Sequence, residues 1–146
     1  MQIGVESSKA VDQRRIFVVD EDEVTRAALQ FMLHDEIETH ELASLEAAYE
    51  KGTSWLTPDL LLIGVGILAA RGLEVLDEIA GHFPKARILV VAGMDEEELA
   101  LEAIKSGAAH GALVKPLRLE AVRQKVDTIL GRPGGAPLVQ LGGLVL

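Results

Sequence analysis

The chain has 146 residues, nearly half of them apolar, which suits one domain with a full core and is too short for two ordinary ones. Its formal net charge of -9 argues against unassisted binding to nucleic acid phosphates or an anionic bilayer, since both require clustered Lys and Arg. There is no cysteine, so neither a disulfide framework nor a thiolate metal site can form. The first 15 residues lack the apolar core of a signal peptide, and the longest apolar stretch, Leu60 to Ala70, is too short to span a bilayer. The expectation is a cytoplasmic protein that makes no contact with a membrane.

Residues 1–14 are polar and aperiodic and read as a flexible leader, with the folded domain over 15–131. Ile16, Phe17, Val18 and Val19 predict a buried first strand, closed by the acidic run Asp20 to Glu23. Val24, Ala27, Ala28, Phe31 and Met32 recur at helical spacing and predict the inward face of a first helix reaching about His34. Its opening carboxylates suit the positive end of the helix dipole. Ile37 to Leu42 alternates apolar and polar residues as an edge strand does. Ser44 caps a second helix predicted to run through Trp55, and Pro58 ends the connection. Leu60 to Ile63 is an unbroken apolar run of the kind required of a strand covered on both faces. Gly64 closes it, at the sheet edge where open α/β folds bind ligands.

A loop is predicted from Gly64 to Gly72, followed by a third helix with Val75, Leu76, Ile79 and Ala80 inward and a breaker at Gly81 to Pro84. Ile88 to Val91 is the fourth strand. Asp95 and Glu98 have the spacing of a capping box and open the fourth helix, which packs Ala100, Ala103 and Ile104 inward and stops at Gly107. Ala112 to Val114 forms the fifth strand, with Lys115-Pro116 at its carboxyl end. Leu119, Val122, Val126, Ile129 and Leu130 define the fifth helix, up to Gly131. Strands alternating with helices imply a doubly wound parallel α/β sheet with a helix layer on each face, in the flavodoxin-like order 2-1-3-4-5.

Four segments together give this chain a resemblance to the receiver domain of bacterial two-component response regulators: VVDEDE at 18–23, PDLLLIG at 58–64, AIKSGA at 103–108 and LVKP at 113–116. The resemblance implies an aspartate closing strand three that is phosphorylated and two acidic residues after strand one that hold Mg2+. It also implies a Thr or Ser closing strand four, an aromatic residue on strand five and a lysine that contacts the phosphoryl group. On these positions the chain has Asp20 and Glu21 for the acidic pair and Lys115 for the lysine. Gly64 stands at the phosphorylated position, Ala92 at the Thr or Ser and Ala112 at the aromatic. The expectation is a degenerate, non-enzymatic receiver.

A glycine cannot attack phosphorus or offer a carboxylate to a metal. Asp59 lies five positions earlier on a strand rising about 3.3 Å per residue, at the opposite end, and cannot substitute. With one carboxylate and the phosphoryl group missing, no cofactor is expected, and Asp20 and Glu21 would bind Mg2+ weakly at most. Lys115 is expected to pair with Asp20 in place of the metal.

Gly64-Val65-Gly66 lacks the rest of a phosphate-binding fingerprint and reads as a flexible loop. His34, His40, His82 and His110 are dispersed, without metal-ligand spacing, and are expected at the surface. Trp55 with Tyr49 would suit a contact site, but an aromatic closing a short helix reads rather as a core plug. Glu97, Glu98 and Glu102, with Leu101, form an acidic outer face on the fourth helix, and Arg118, Arg123 and Lys125 make the fifth basic. The resemblance implies pairing through that surface, where opposite charges match across a two-fold axis to form a homodimer or bind a protein partner.

GRPGGAP at 131–137 is a Gly/Pro linker, and the apolar LVQLGGLVL after it is similar to the opening strands of winged-helix output domains. Residues 132–146 are therefore expected to be a linker and the start of a DNA-binding output domain continuing beyond residue 146. Two functions follow. One is signal transduction and transcription regulation through phosphorylation-independent contact or dimerisation; the other is sensing of a small ligand in the space vacated at Gly64 and Ala92, near Lys115.

Overall fold

The computed structural model describes residues 12–53 and 56–132. Five strands form one parallel sheet in the order β2-β1-β3-β4-β5: β1 Asp12–Val19, β2 Ile37–Leu42, β3 Leu60–Gly64, β4 Arg87–Ala92 and β5 Gly111–Val114. The helices are α1 Glu23–Leu33, α2 Leu45–Gly52, α3 Val65–Arg71, α4 Val75–His82, α5 Glu97–Lys105 and α6 Leu119–Leu130, with a 3-10 turn at Met94–Glu96. No helix among the described residues is long and apolar enough to cross a membrane.

Alternation along each strand splits the core into two layers. Phe17, Val19, Leu61, Ile63, Val90, Ala92 and Ala112 face α2, α3, α4 and α5. Ile16, Val18, Leu60, Leu62, Leu89, Val91 and Leu113 face α1 and α6. The whole of β3 is buried, as its apolar run requires. Register places Val19 beside Ile63, Gly64 beside Val91 and Ala92 beside Val114, so the ends of β1, β3, β4 and β5 share one edge.

Several elements differ from the sequence reading. The first helix is rotated: Thr25, Leu29 and Leu33 are buried, whereas Val24 is 76% and Phe31 74% exposed. The helix has two stripes that could face the core, and the threonine gives the buried one a polar member. Its hydroxyl donates to Asp22 Oδ2 at 2.6 Å, satisfying it locally and leaving its methyl to pack. The segment after Gly64 is a helix, α3, because Val65, Ile67 and Leu68 bury against the core, and Gly72 at φ 84° ends it. The second helix stops at Gly52, where a Cβ would overlap the buried Phe83 ring. Trp55 lies outside the described residues, while Tyr49 is half-buried, stacked on His82 at 3.6 Å and donating to Glu78 at 2.8 Å. Asp95 and Glu98 form no box; Glu96 instead reaches back to the Gly93 N–H at 2.8 Å. β1 begins at Asp12, within the segment read as leader, with a register shift between Asp12 and Arg15. The linker and output-domain reading of 132–146 falls, apart from Arg132, outside the described residues.

The phase of α1 is testable by urea unfolding. Leu29→Ala is expected to cost about 2 to 5 kcal/mol as a buried large-to-small change, and Phe31→Ala to stay within about 0.5 kcal/mol of wild type as an exposed one. Equal losses would contradict the observed rotation.

Candidate functional site

Asp20 follows β1 directly, its N–H donating to Leu42 O at 3.2 Å and its carbonyl accepting from Arg26 Nη1 at 2.8 Å. Arg26 also pairs with Glu41 at 3.4 Å, tying the end of β1 to α1 and β2. Lys115 is set by its N–H, which donates to Ala92 O at 2.9 Å and extends the pairing of β4 with β5. The Lys115-Pro116 peptide is cis.

The Asp20 carboxylate lies across the face of Gly64. A Cβ built on residue 64 would fall 2.5 Å from Asp20 Oδ2, 2.6 Å from its Cγ and 2.8 Å from Oδ1, all well inside van der Waals contact. Asp20 Oδ1 accepts the Asp22 N–H at 2.9 Å, which holds the carboxylate there. The conformation of Gly64 is ordinary extended backbone, φ -65° and ψ 136°, so geometry alone would admit any residue. What the glycine supplies is space, and Asp20 fills it.

Around this contact is a hollow of about 380 Å³ lined by Asp20, Glu21, Asp22, Gly64, Glu96 and Lys115, with Val65, Gly66 and Val91. Lys115 Nζ is within ion-pair distance of Asp22 Oδ2, at 3.9 Å, and not of Asp20. The expected Asp20 pairing is therefore replaced by a solvent-exposed one with Asp22, which water and salt screen. Asp20 is turned toward Gly64 and the Asp22 N–H, which leaves Asp22 as the carboxylate nearer the ammonium. Burial pushes the Asp20 carboxyl above its usual range, against the opposing pull of the Asp22 N–H and of Lys115. Asp22 is held below its usual range, chiefly by the Thr25 hydroxyl.

Ala92 and Ala112 do not reach the hollow; both are buried in the core layer beneath α5. Asp59 Oδ2 accepts the Arg15 N–H at 2.8 Å at the other end of β3, as its spacing predicts. Among the described residues no three His, Asp or Glu side chains are grouped so as to hold a metal ion. Asp22 and Glu96 were missed as site residues. The Asp22-x-x-Thr25 spacing, an N-cap signature, was the available signal for the first. Glu96 had none, because the 3-10 turn that aims it is a tertiary feature.

The acidic face of α5 is exposed at Glu97, Glu98 and Glu102, with Leu101 half-buried and Arg118 exposed at the start of α6. Arg123 does not belong to that face. It turns to α1, donating to Met32 O at 2.9 Å and to Asp35 at 2.9 and 3.1 Å, and pairing with Glu36 at 3.2 Å. Lys125 lies beside Gly111 of β5, and burial lowers its ammonium pKa. His34 and His82 are exposed, whereas His110 is half-buried with Nδ1 accepting the Ile88 N–H at 2.9 Å, a placement the sequence reading had at the surface.

Residues 16–127 match the family described as the response regulator receiver domain. The chain belongs to that family. Its receiver fold places it in two-component signal transduction. Protein CcdB of Bacillus subtilis is 29% identical over 122 residues, covering 80% of this chain and 98% of that protein. The transcriptional regulatory protein FixJ of Azorhizobium caulinodans is 30% identical over 80% of this chain, which spans 55% of FixJ. A two-component response regulator from Clostridium difficile superimposes with a TM-score of 0.70 at 26% identity, over 84% of this chain and all of that one.

A raised carboxyl pKa in the folded receiver means that the folded state binds more protons than the unfolded chain, so the charge at Asp20 destabilises the fold above its folded pKa. Asp20→Asn keeps an oxygen acceptor and removes that charge. It is expected to raise the thermal midpoint at pH 7, with the advantage shrinking as pH falls and the wild-type carboxyl takes up its proton. A pH-independent difference would contradict the burial of this charge.

Proposed function

We propose that this receiver acts without phosphorylation, signalling through protein contact or dimerisation. The observation that carries the reading is the Asp20 carboxylate lying where a residue 64 side chain would be. Residue 64 supplies no nucleophile, and the space above it is taken by a carboxylate that would repel an incoming phosphoryl donor. The residues present also fit Mg2+ poorly. The ion demands a near-ideal octahedron of oxygens, while one carboxylate of the pocket is turned onto Gly64 and a second is engaged by Thr25.

The face that remains for a partner is the acidic surface of α5 with Arg118, since Arg123 is consumed by α1. That arrangement favours a basic counter-surface, on a second copy or on another protein, over the evenly matched charge pairing first expected. Transcription regulation comes from FixJ, whose name says that it regulates transcription and of which this chain spans about half. On that analogy, and on that of the DNA-binding transcriptional activator DevR/DosR of Mycobacterium tuberculosis, the receiver would serve a DNA-binding output function. The alternative of a small ligand above Gly64 is the weaker one. Its hollow is lined by Asp20, Glu21, Asp22 and Glu96 against one lysine, and neither vacated position leaves room there.

Exposure to a small acyl phosphate, and separately to beryllofluoride, tests the proposal by intact mass, amide NMR and sedimentation. The expected outcome is no covalent phosphate, no shift of the pocket amides and no change of oligomeric state. Phosphate retained on the protein, or a beryllofluoride-induced change in the pocket, would overturn it.

A further inference from the structure

We propose that the opposite edge of the sheet, where β4 and β5 begin, carries a second site, for a small molecule bearing a doubly charged oxyanion. A hollow of about 420 Å³ opens there between one side of α4 and the carboxyl end of α5, lined by Lys85, Arg87, His110, Asp77 and the Ser106-Gly107 turn. This volume is in the ordinary range for small-molecule sites. It shares no residue with the hollow around Gly64, and the proposal stands independently of the phosphorylation-free reading.

Charge is what marks it out. In a chain with nine net negative charges, several basic side chains of the described residues are tied to carboxylates, among them Arg15 to Glu38, Arg26 to Glu41, Arg71 to Glu78 and Arg123 to Asp35. Lys85 and Arg87 have no hydrogen bond or ion pair from their side chains among the described residues. Both are exposed at the rim, and the hollow contains a single carboxylate, Asp77. His110 adds a donor. Its Nδ1 is occupied as the acceptor of the Ile88 N–H at 2.9 Å, so the neutral ring carries its proton on Nε2. A guanidinium fork, a mobile ammonium and an imidazole N–H together suit a phosphate monoester or a polycarboxylate rather than a neutral or cationic molecule. Ser106 is not part of the donor set, because its hydroxyl already donates to Ala103 O and accepts the Ala108 N–H.

Burial and the nearby Arg87 both hold His110 below its usual pKa. A dianion between them offsets the Arg87 charge, so occupancy should move the ring titration upward. The other charged groups facing the hollow are Lys85 and Asp77, one of each sign.

The test is an amide and imidazole NMR titration of the intact chain with inorganic phosphate, ribose 5-phosphate and citrate in parallel. Expected are saturable shifts confined to residues 85–88 and 106–110 and a higher His110 pKa at saturation. Affinity should fall about tenfold in the Lys85→Gln/Arg87→Gln variant and remain unchanged in Arg118→Gln. Tighter binding of ribose 5-phosphate identifies a phosphate ester, and tighter binding of citrate a polycarboxylate. Shifts that fail to saturate, that spread over surface cations generally, or that persist in the double variant with its thermal midpoint intact would overturn the proposal.

Discussion

The carboxylate of Asp20 rests on the bare backbone of Gly64, and the chemistry of this receiver turns on that contact. It depends on two features that the chain provides independently. The β3 run from Leu60 ends in a residue with no side chain, and the turn after β1 aims Asp20 across the sheet edge by holding its Oδ1 on the Asp22 N–H. Neither alone would close the position. A glycine without the carboxylate would leave a cavity open to a ligand, and the carboxylate without the glycine would collide with a Cβ.

From that contact the charge layout of the molecule follows. The carboxyl edge of the sheet is acidic, with Lys115 set against Asp22 at the margin and not at the centre. The opposite edge gathers two basic side chains, unpaired among the described residues, around a half-buried histidine. Both hollows border α5, one near its start through Glu96 and the other near its end through Ser106. The exposed acidic face of the same helix is the surface proposed for a partner, so events at either edge abut the element through which the domain would be read.

The fold was legible because β strands with unbroken apolar runs, such as Leu60 to Ile63, have one comfortable place in an α/β sheet. The order 2-1-3-4-5 followed from the strand and helix alternation together with the family resemblance. Legibility failed where two readings share one sequence pattern. Val24, Ala27 and Phe31 make as good a helical stripe as Thr25, Leu29 and Leu33, and the local Asp22-Thr25 bond that hides Thr25's polarity cannot be seen in composition. The α3 helix was hidden by glycines at 64 and 66, whose low helix propensity is overridden by burial of Val65, Ile67 and Leu68. Positions 20, 21, 64 and 115 line one hollow because the backbone places them there, whereas the partner of Lys115 and the direction of Arg123 were not legible, because rotamers of long side chains answer to tertiary neighbours. Ala92 and Ala112 were placed correctly on their strands, but pleating turns them into the core and away from the hollow.

The contact between residues 20 and 64 is isolated most directly by a double-mutant cycle in thermal or urea unfolding, combining Gly64→Ala with Asp20→Ala. The account predicts that Gly64→Ala destabilises the wild-type background, where the new methyl group meets the carboxylate, and is neutral or stabilising once Asp20 is alanine. Additive effects of the two substitutions would mean that the carboxylate does not lie over Gly64, and the account would fail at its centre.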